Sequence, residues 1–186
     1  PDGKGGMAAV LGLSGEAVNE AIAYMQGVYV ANYNCPGQIV ITGKTKAVEE
    51  AAGKLKEAGA RRTIMLNVSG PFHSAMLKEA GEKLGKVLEQ VELRAFSTPY
   101  VTNVTAEYVT EPSEIKELLG RQVYSSVKWQ QSVERMIADG VDTFIEIGPG
   151  RTLTGFLKKI NKNVTGLHIE KVEDLDAVVK MLGEKQ

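Results

Sequence analysis

The sequence predicts an α/β chain in two parts. Residues 1–68 read as a small ferredoxin-like βαββαβ subdomain, and residues 69–186 as a second part built on a mostly parallel sheet covered by helices. Three observations lead there. Apolar runs of strand length alternate with amphipathic runs of helical spacing along the whole chain. In the first part these runs come in the order strand, helix, strand, strand, helix, strand. In the second part strands and helices alternate, a pattern that favours parallel pairing through helical crossovers.

Each element has its own signal. "MAAVLGL" is a compact apolar strand, and Ser14 is placed to cap a helix carrying Val18, Ala21, Ile22 and Met25 at helical spacing. "VYVANYN" and "QIVITG" are strands separated by the turn signal "CPG". "KAVEEAAGKLKEAG" is an amphipathic helix that stops at Gly59, and "RRTIMLNV" is the fourth strand. "SAMLKEAGEKLGKVLEQV" predicts a helix with Leu77, Ala80, Leu84, Leu88 and Val91 on one face. "TPYVTNV" reads as a strand, and "SEIKELLGRQ" as a helix with Ser113 as its cap. "VKWQQSVERMIADG" is a helix ended by Gly140, and "VDTFIEI" a strand of the buried type. The turn "GPG", the helix "TLTGFLKKI", the strand "VTGLHI" and the helix "DLDAVVKML" complete the chain.

Composition narrows the function. The 186 residues are 43% hydrophobic and 24% charged, as in ordinary globular chains. A formal net charge of −1 gives no electrostatic footprint for nucleic acid. No apolar run is long enough to span a bilayer, so no membrane partner is expected. One cysteine allows no internal disulfide and suggests a reducing, cytoplasmic setting. Three Asn-x-Ser/Thr sequons, at Asn67, Asn103 and Asn163, read as chance. The opening "PDGKGG" reads as a loop within a longer chain.

Few residues are candidates for chemistry. "GLSGE", residues 12–16, resembles a damaged G-x-S-x-G elbow, but its second glycine falls one position early and a capping serine accounts for it. Cys35 in "NYNCPGQ" would be a nucleophile only beside a base. His73, in "NVSGPFHSAM", follows a strand and a Gly-Pro turn and stands just ahead of a helix. The partial positive charge of a helix start would keep its imidazole neutral, as a general base requires; a ring satisfied by loop carbonyls is the plain alternative. His168, inside an apolar strand, reads as structural. Two distant histidines and one cysteine make no metal site. "EIGPGRTLTGF" could cradle a phosphate, although a plain turn explains it, and Arg61–Arg62 is a small basic spot of the kind that is usually just solvated, though an acidic partner could use it.

Five segments in order, "GGMAAVLGL", "ANYNCPGQIVITG", "VSGPFHSAM", "RQVYSSVKWQQSVERM" and "FIEIGPGRTLTGFLKK", together resemble the malonyl-CoA:acyl-carrier-protein transacylase family. The resemblance covers essentially the whole chain. It implies a ferredoxin-like subdomain inserted in an α/β-hydrolase-like one, with residues 69–186 as the C-terminal part of the latter. It implies ping-pong transfer of malonyl from malonyl-CoA to the phosphopantetheine thiol of acyl carrier protein in fatty-acid biosynthesis, with no cofactor. His73 matches the family's catalytic base, and Gln122 the residue whose main-chain carbonyl orients it. Asn34 matches a site-lining residue, and Phe72 resembles the malonyl-selective versions. Cys35 stands where serine is common. The family's nucleophilic serine, carboxylate-binding arginine and oxyanion-hole groups find no counterpart here. The chain is therefore expected to be the C-terminal portion of such an enzyme, inactive alone and partnered by the missing N-terminal portion.

Two rival readings follow from the same residues. One is a non-catalytic acyl-carrier-protein-binding or regulatory module, since a βαββαβ unit often serves that way. The other is a hydrolase using Cys35 and His73.

Overall fold

The structure, a computed structural model, describes residues 5–183. The first four residues of the expected opening loop lie outside the described part. The described residues form an α/β fold with mixed sheets and seven α-helices. Contacts divide the chain into two compact units, one ending at Ser132 and the other starting at Val133.

The first unit begins with β1 (Gly5–Leu11), α1 (Gly15–Ile22), β2 (Val28–Cys35), β3 (Gln38–Lys44), α2 (Thr45–Glu57) and β4 (Arg62–Met65). The four strands form one sheet in the order β2-β3-β1-β4, every neighbouring pair antiparallel. Residue alternation explains its two faces. Ile39 and Ile41 pack with Val10 against Val18 and Ile22 of α1 and Val48, Ala51 and Leu55 of α2. Met7, Ala31 and Val40 make a smaller cluster with Leu66. Ile39, Ile41 and Leu55 are 1%, 0% and 0% exposed, and each such side chain contributes about 1.5–3 kcal/mol by leaving water. Ser14 caps α1 as expected, its hydroxyl accepting the Ala17 N–H at 3.2 Å.

The chain then passes through residues 66–74 and a 3₁₀ turn, Ala75–Leu77, into α3 (Lys78–Glu89). The helix expected from residue 74 thus begins as 3₁₀. β5 (Tyr100–Val101) and β6 (Tyr108–Val109) form a short antiparallel ladder, followed by α4 (Pro112–Gln122). Only two residues of the strand expected over 98–104 are paired, and their partner β6 carried no alternation to reveal it. Ser113 is not the cap of α4. Glu111 holds that position without a side-chain bond, and Pro112, with its φ already near the helical value, starts the first turn. Val104, Val109 and Leu118 form a local core with Phe96 and Ile115.

α5 (Trp129–Ala138) runs across the boundary into the second unit, which holds β7 (Thr143–Ile147), α6 (Thr152–Ile160), β8 (Thr165–Ile169) and α7 (Val172–Gly183). β7 and β8 pair in parallel through α6, the one parallel pair of strands among the described residues. The sheets are therefore mixed rather than mostly parallel. β7 is also less enclosed than a buried-type strand: Ile145 is 37% and Ile147 78% exposed, because β8 alone pairs with it among the described residues.

Candidate active site

His73 is set by its backbone before its ring is considered. Its φ is +56°, a left-handed conformation that a non-glycine residue holds only when its surroundings impose it. The surroundings are a short knot. The Ser74 hydroxyl donates to the Pro71 carbonyl at 2.6 Å, and Ser74 is 1% exposed. The ring then points its Nδ1 at two main-chain carbonyls, Gln122 at 3.1 Å and Ser125 at 3.2 Å. Carbonyl oxygens only accept, so Nδ1 carries the hydrogen and, in the neutral ring, Nε2 keeps its lone pair. The ring therefore meets the end of α4 and the turn after it, where free carbonyls collect, and not the amides at a helix start.

Two features bring those carbonyls within reach. The first is the crossing of α3 and α4. A Cβ on Gly81 would lie 2.5 Å from the Gly120 carbonyl and 2.5 Å from the Tyr124 ring, so the approach needs a glycine there. The second is an extension of the sheet edge. Val127 N–H donates to Ala31 O at 2.7 Å, Tyr33 N–H to Val127 O at 2.9 Å, and the Ser126 hydroxyl to Val30 O at 2.6 Å. The segment carrying His73's acceptors is thereby laid along β2, with Asn32 and Val127 in a parallel bridge.

His73 lines a depression of about 530 Å³ together with Ser74, Ser125, Ser126 and Tyr124, faced by Tyr29 and Tyr33 of β2 and Asn19 of α1. Tyr33 Oη donates to Asn19 Oδ1 at 3.1 Å. The structure brings His73 and the Gln122 carbonyl together. Asn34 and Phe72 are not among the residues lining this depression. Asn34 sits, half-buried, where the β2–β3 register shifts between Tyr33 and Cys35. Phe72 is 49% exposed, just before the left-handed residue that turns the chain. Ser125 was missed in the sequence, and no letter could have revealed it, because it contributes only a backbone oxygen.

The remaining candidates resolve differently. Cys35 closes β2, is 0% exposed and is absent from the lining of the depression, which removes the Cys35–His73 pair. His168 Nε2 accepts from Arg151 Nε at 3.0 Å. The Glu146 carboxylate accepts the N–H groups of Leu153 and Thr154 at 3.0 and 2.7 Å and the Thr154 hydroxyl at 2.6 Å. The first turn of α6 thus already holds an anion from its own chain, and those amides are not open to a phosphate. Burial works to raise the Glu146 carboxyl, but the hydrogen bonds from Thr154 and Leu153 outweigh it and hold the group below its ordinary value. Among the described residues no group of three or more His, Cys, Asp or Glu is placed to hold a metal ion.

Comparison with known proteins supplies the family. Residues 2–181 match the acyl transferase domain. The chain is similar to the malonyl CoA-acyl carrier protein transacylase of Bacillus subtilis, 44% identical over 189 residues that cover 100% of this chain and 60% of that protein. It is 42% identical to the Staphylococcus aureus protein of the same name, over 94% of this chain and 58% of the relative. Its structure is similar to the malonyl CoA-acyl carrier protein transacylase of Clostridium perfringens, at TM-score 0.94 and 46% identity, covering 100% of this chain and 59% of that one. A malonyl-transacylase solved in complex with its type II PKS acyl-carrier protein matches at TM-score 0.93 and 38% identity, over 97% of this chain and 59% of that chain. The chain spans about 60% of the length of the curated relatives it matches.

Proposed function

Because the chain belongs to the acyl transferase domain family, we propose that it carries the base of a malonyl-CoA:acyl-carrier-protein transacylase of fatty-acid biosynthesis. The observation that carries this reading is the His73 ring, its Nδ1 held by the Gln122 and Ser125 carbonyls and its Nε2 without a partner among the described residues. In the first half-reaction Nε2 takes the proton of a serine hydroxyl as that oxygen attacks the malonyl thioester. The tetrahedral intermediate collapses to a malonyl-serine ester, and the imidazolium returns its proton to the departing CoA thiolate. In the second half the phosphopantetheine thiol gives its proton to Nε2 and attacks the ester, and the serine oxygen leaves with that proton. The two carbonyls orient the ring through both halves, as the third member of a triad does.

The serine is assigned to the remaining portion of the enzyme, which we take as this chain's partner; the 60% span of the relatives supports that division. Malonyl-CoA and acyl carrier protein are the proposed substrates, with no cofactor. The relatives' names and the relative solved with a carrier protein support the two substrates. Asn34 and Phe72 are assigned to the substrate side on family resemblance. A ferredoxin-like subdomain over 1–68 is supported by the order β2-β3-β1-β4, and an α/β-hydrolase-like part over 69–186 by the parallel β7–α6–β8 unit. The single cysteine supports the proposed cytoplasmic setting; among the described residues no helix is long and apolar enough to cross a membrane.

The test is His73→Ala in the complete enzyme. Transfer to the carrier protein should fall by about 10³-fold or more while the circular dichroism spectrum is unchanged. Turnover near that of the parent would overturn the assignment of the base.

A further inference from the structure

The turn that precedes His73 lies against a residue of β1 that has no Cβ. Gly5 is buried in that strand, opposite Lys44 of β3. The Gly70–Pro71 turn lies directly on it. A Cβ built on Gly5 would come 2.6 Å from Pro71 N and 3.0 Å from the Gly70 carbonyl carbon, and closer still to Pro71 Cδ. Two of those atoms are backbone, so no rotamer change clears the overlap. The next residue behaves differently. A Cβ on Gly6 would find its nearest neighbour, Thr45 Cα, at 3.5 Å, an ordinary contact. The two adjacent glycines look alike in sequence and are opposite in consequence.

We propose that Gly5 is a positioning residue for His73: its bare Cα seats the Gly70–Pro71 turn on β1, and that seat sets the imidazole between its two carbonyls. The linkage is short. His73 stands two residues beyond Pro71, in the left-handed conformation, and Ser74 is tied back to the Pro71 carbonyl at 2.6 Å. A turn lifted off β1 carries this knot with it. The ring's hydrogen bonds are already 3.1 and 3.2 Å long, so they have little length to give. The proposal rests on the reading of His73 as the base, and its test separates the two.

The experiment compares Gly5→Ala and Gly6→Ala in the complete transferase, with Pro71→Ala as a second probe of the same contact. Two quantities are read: steady-state transfer, and the ¹⁵N resonances of histidine-labelled protein, with His73 assigned through His73→Gln. Gly5→Ala should shift the His73 ring signals, leave those of His168 in place and lower kcat on the order of a hundredfold with KM little changed. Gly6→Ala should match the parent in both readouts. If Gly5→Ala does not fold, Pro71→Ala should still shift the His73 signals and lower kcat. Parent-like His73 signals in a folded Gly5→Ala, or in Pro71→Ala where Gly5→Ala does not fold, would overturn the positioning role. Shifted signals with undiminished transfer would keep that role and overturn the base.

Discussion

Two side chains in this chain are held by helix ends of opposite polarity. His73 gives its Nδ1–H to the carbonyls at and just after the end of α4, and Glu146 takes the amides that begin α6. Each helix end thereby satisfies groups its own ladder leaves unpaired. The Glu146 arrangement has a testable sign. Its folded pKa lies below its ordinary 4.5, so its contribution to stability is complete above that value and is lost as pH falls through the lowered one. Glu146→Gln should cost about 0.5–1 kcal/mol at neutral pH, the low end for a lost cap because solvent screens this site. Urea midpoints of parent and variant should differ at neutral pH and converge in acid; a gap that persists below the carboxylate range would refute this account of Glu146.

At the scale of elements, glycine positions decide how closely helices approach. Gly81→Ala drives a Cβ into the Gly120 carbonyl and the Tyr124 ring and should destabilise by about 1–3 kcal/mol. Gly53→Ala, in the open face of α2 with nothing within 4 Å, should stabilise by roughly 0.5–1 kcal/mol. Thermal unfolding of the pair should move in opposite directions, and equal shifts would contradict the crossing described for α3 and α4. None of this is legible in the sequence, where Gly53, Gly81 and Gly85 are equivalent letters inside amphipathic runs. Other elements are legible. α6 spans the residues its apolar spacing predicts, because Leu153, Phe156, Leu157 and Ile160 recur at helical spacing and Leu157 is buried. β6 is not, since two residues are too few to show a period. The site divides the same way. His73 stands out by its Gly-Pro turn, whereas its acceptors are backbone atoms that chain folding alone brings to it. Gln122 was reached only through resemblance, and Ser125 was not reached.

At the scale of the whole chain, the apolar surface is uneven. In the second unit Ile147 is 78%, Val172 80% and Val179 58% exposed, apolar surface that promotes association. The 186-residue chain alone should therefore self-associate as concentration rises, and Ile147→Lys should reduce it. Light scattering over a dilution series checks both, and a parent that stays monomeric throughout would contradict them. The depression beside His73 has the contrary character: its lining includes three tyrosines and three serines and no aspartate or glutamate. The groups that orient the His73 ring are neutral dipoles. An acyl group bearing its own carboxylate, of the kind proposed as substrate, thus meets no standing negative charge among these residues. In the proposed reaction, proton transfer to Nε2 puts a passing positive charge on the imidazolium, matched by negative charge on the acyl oxygen, and the sign of the former is attractive to such a carboxylate.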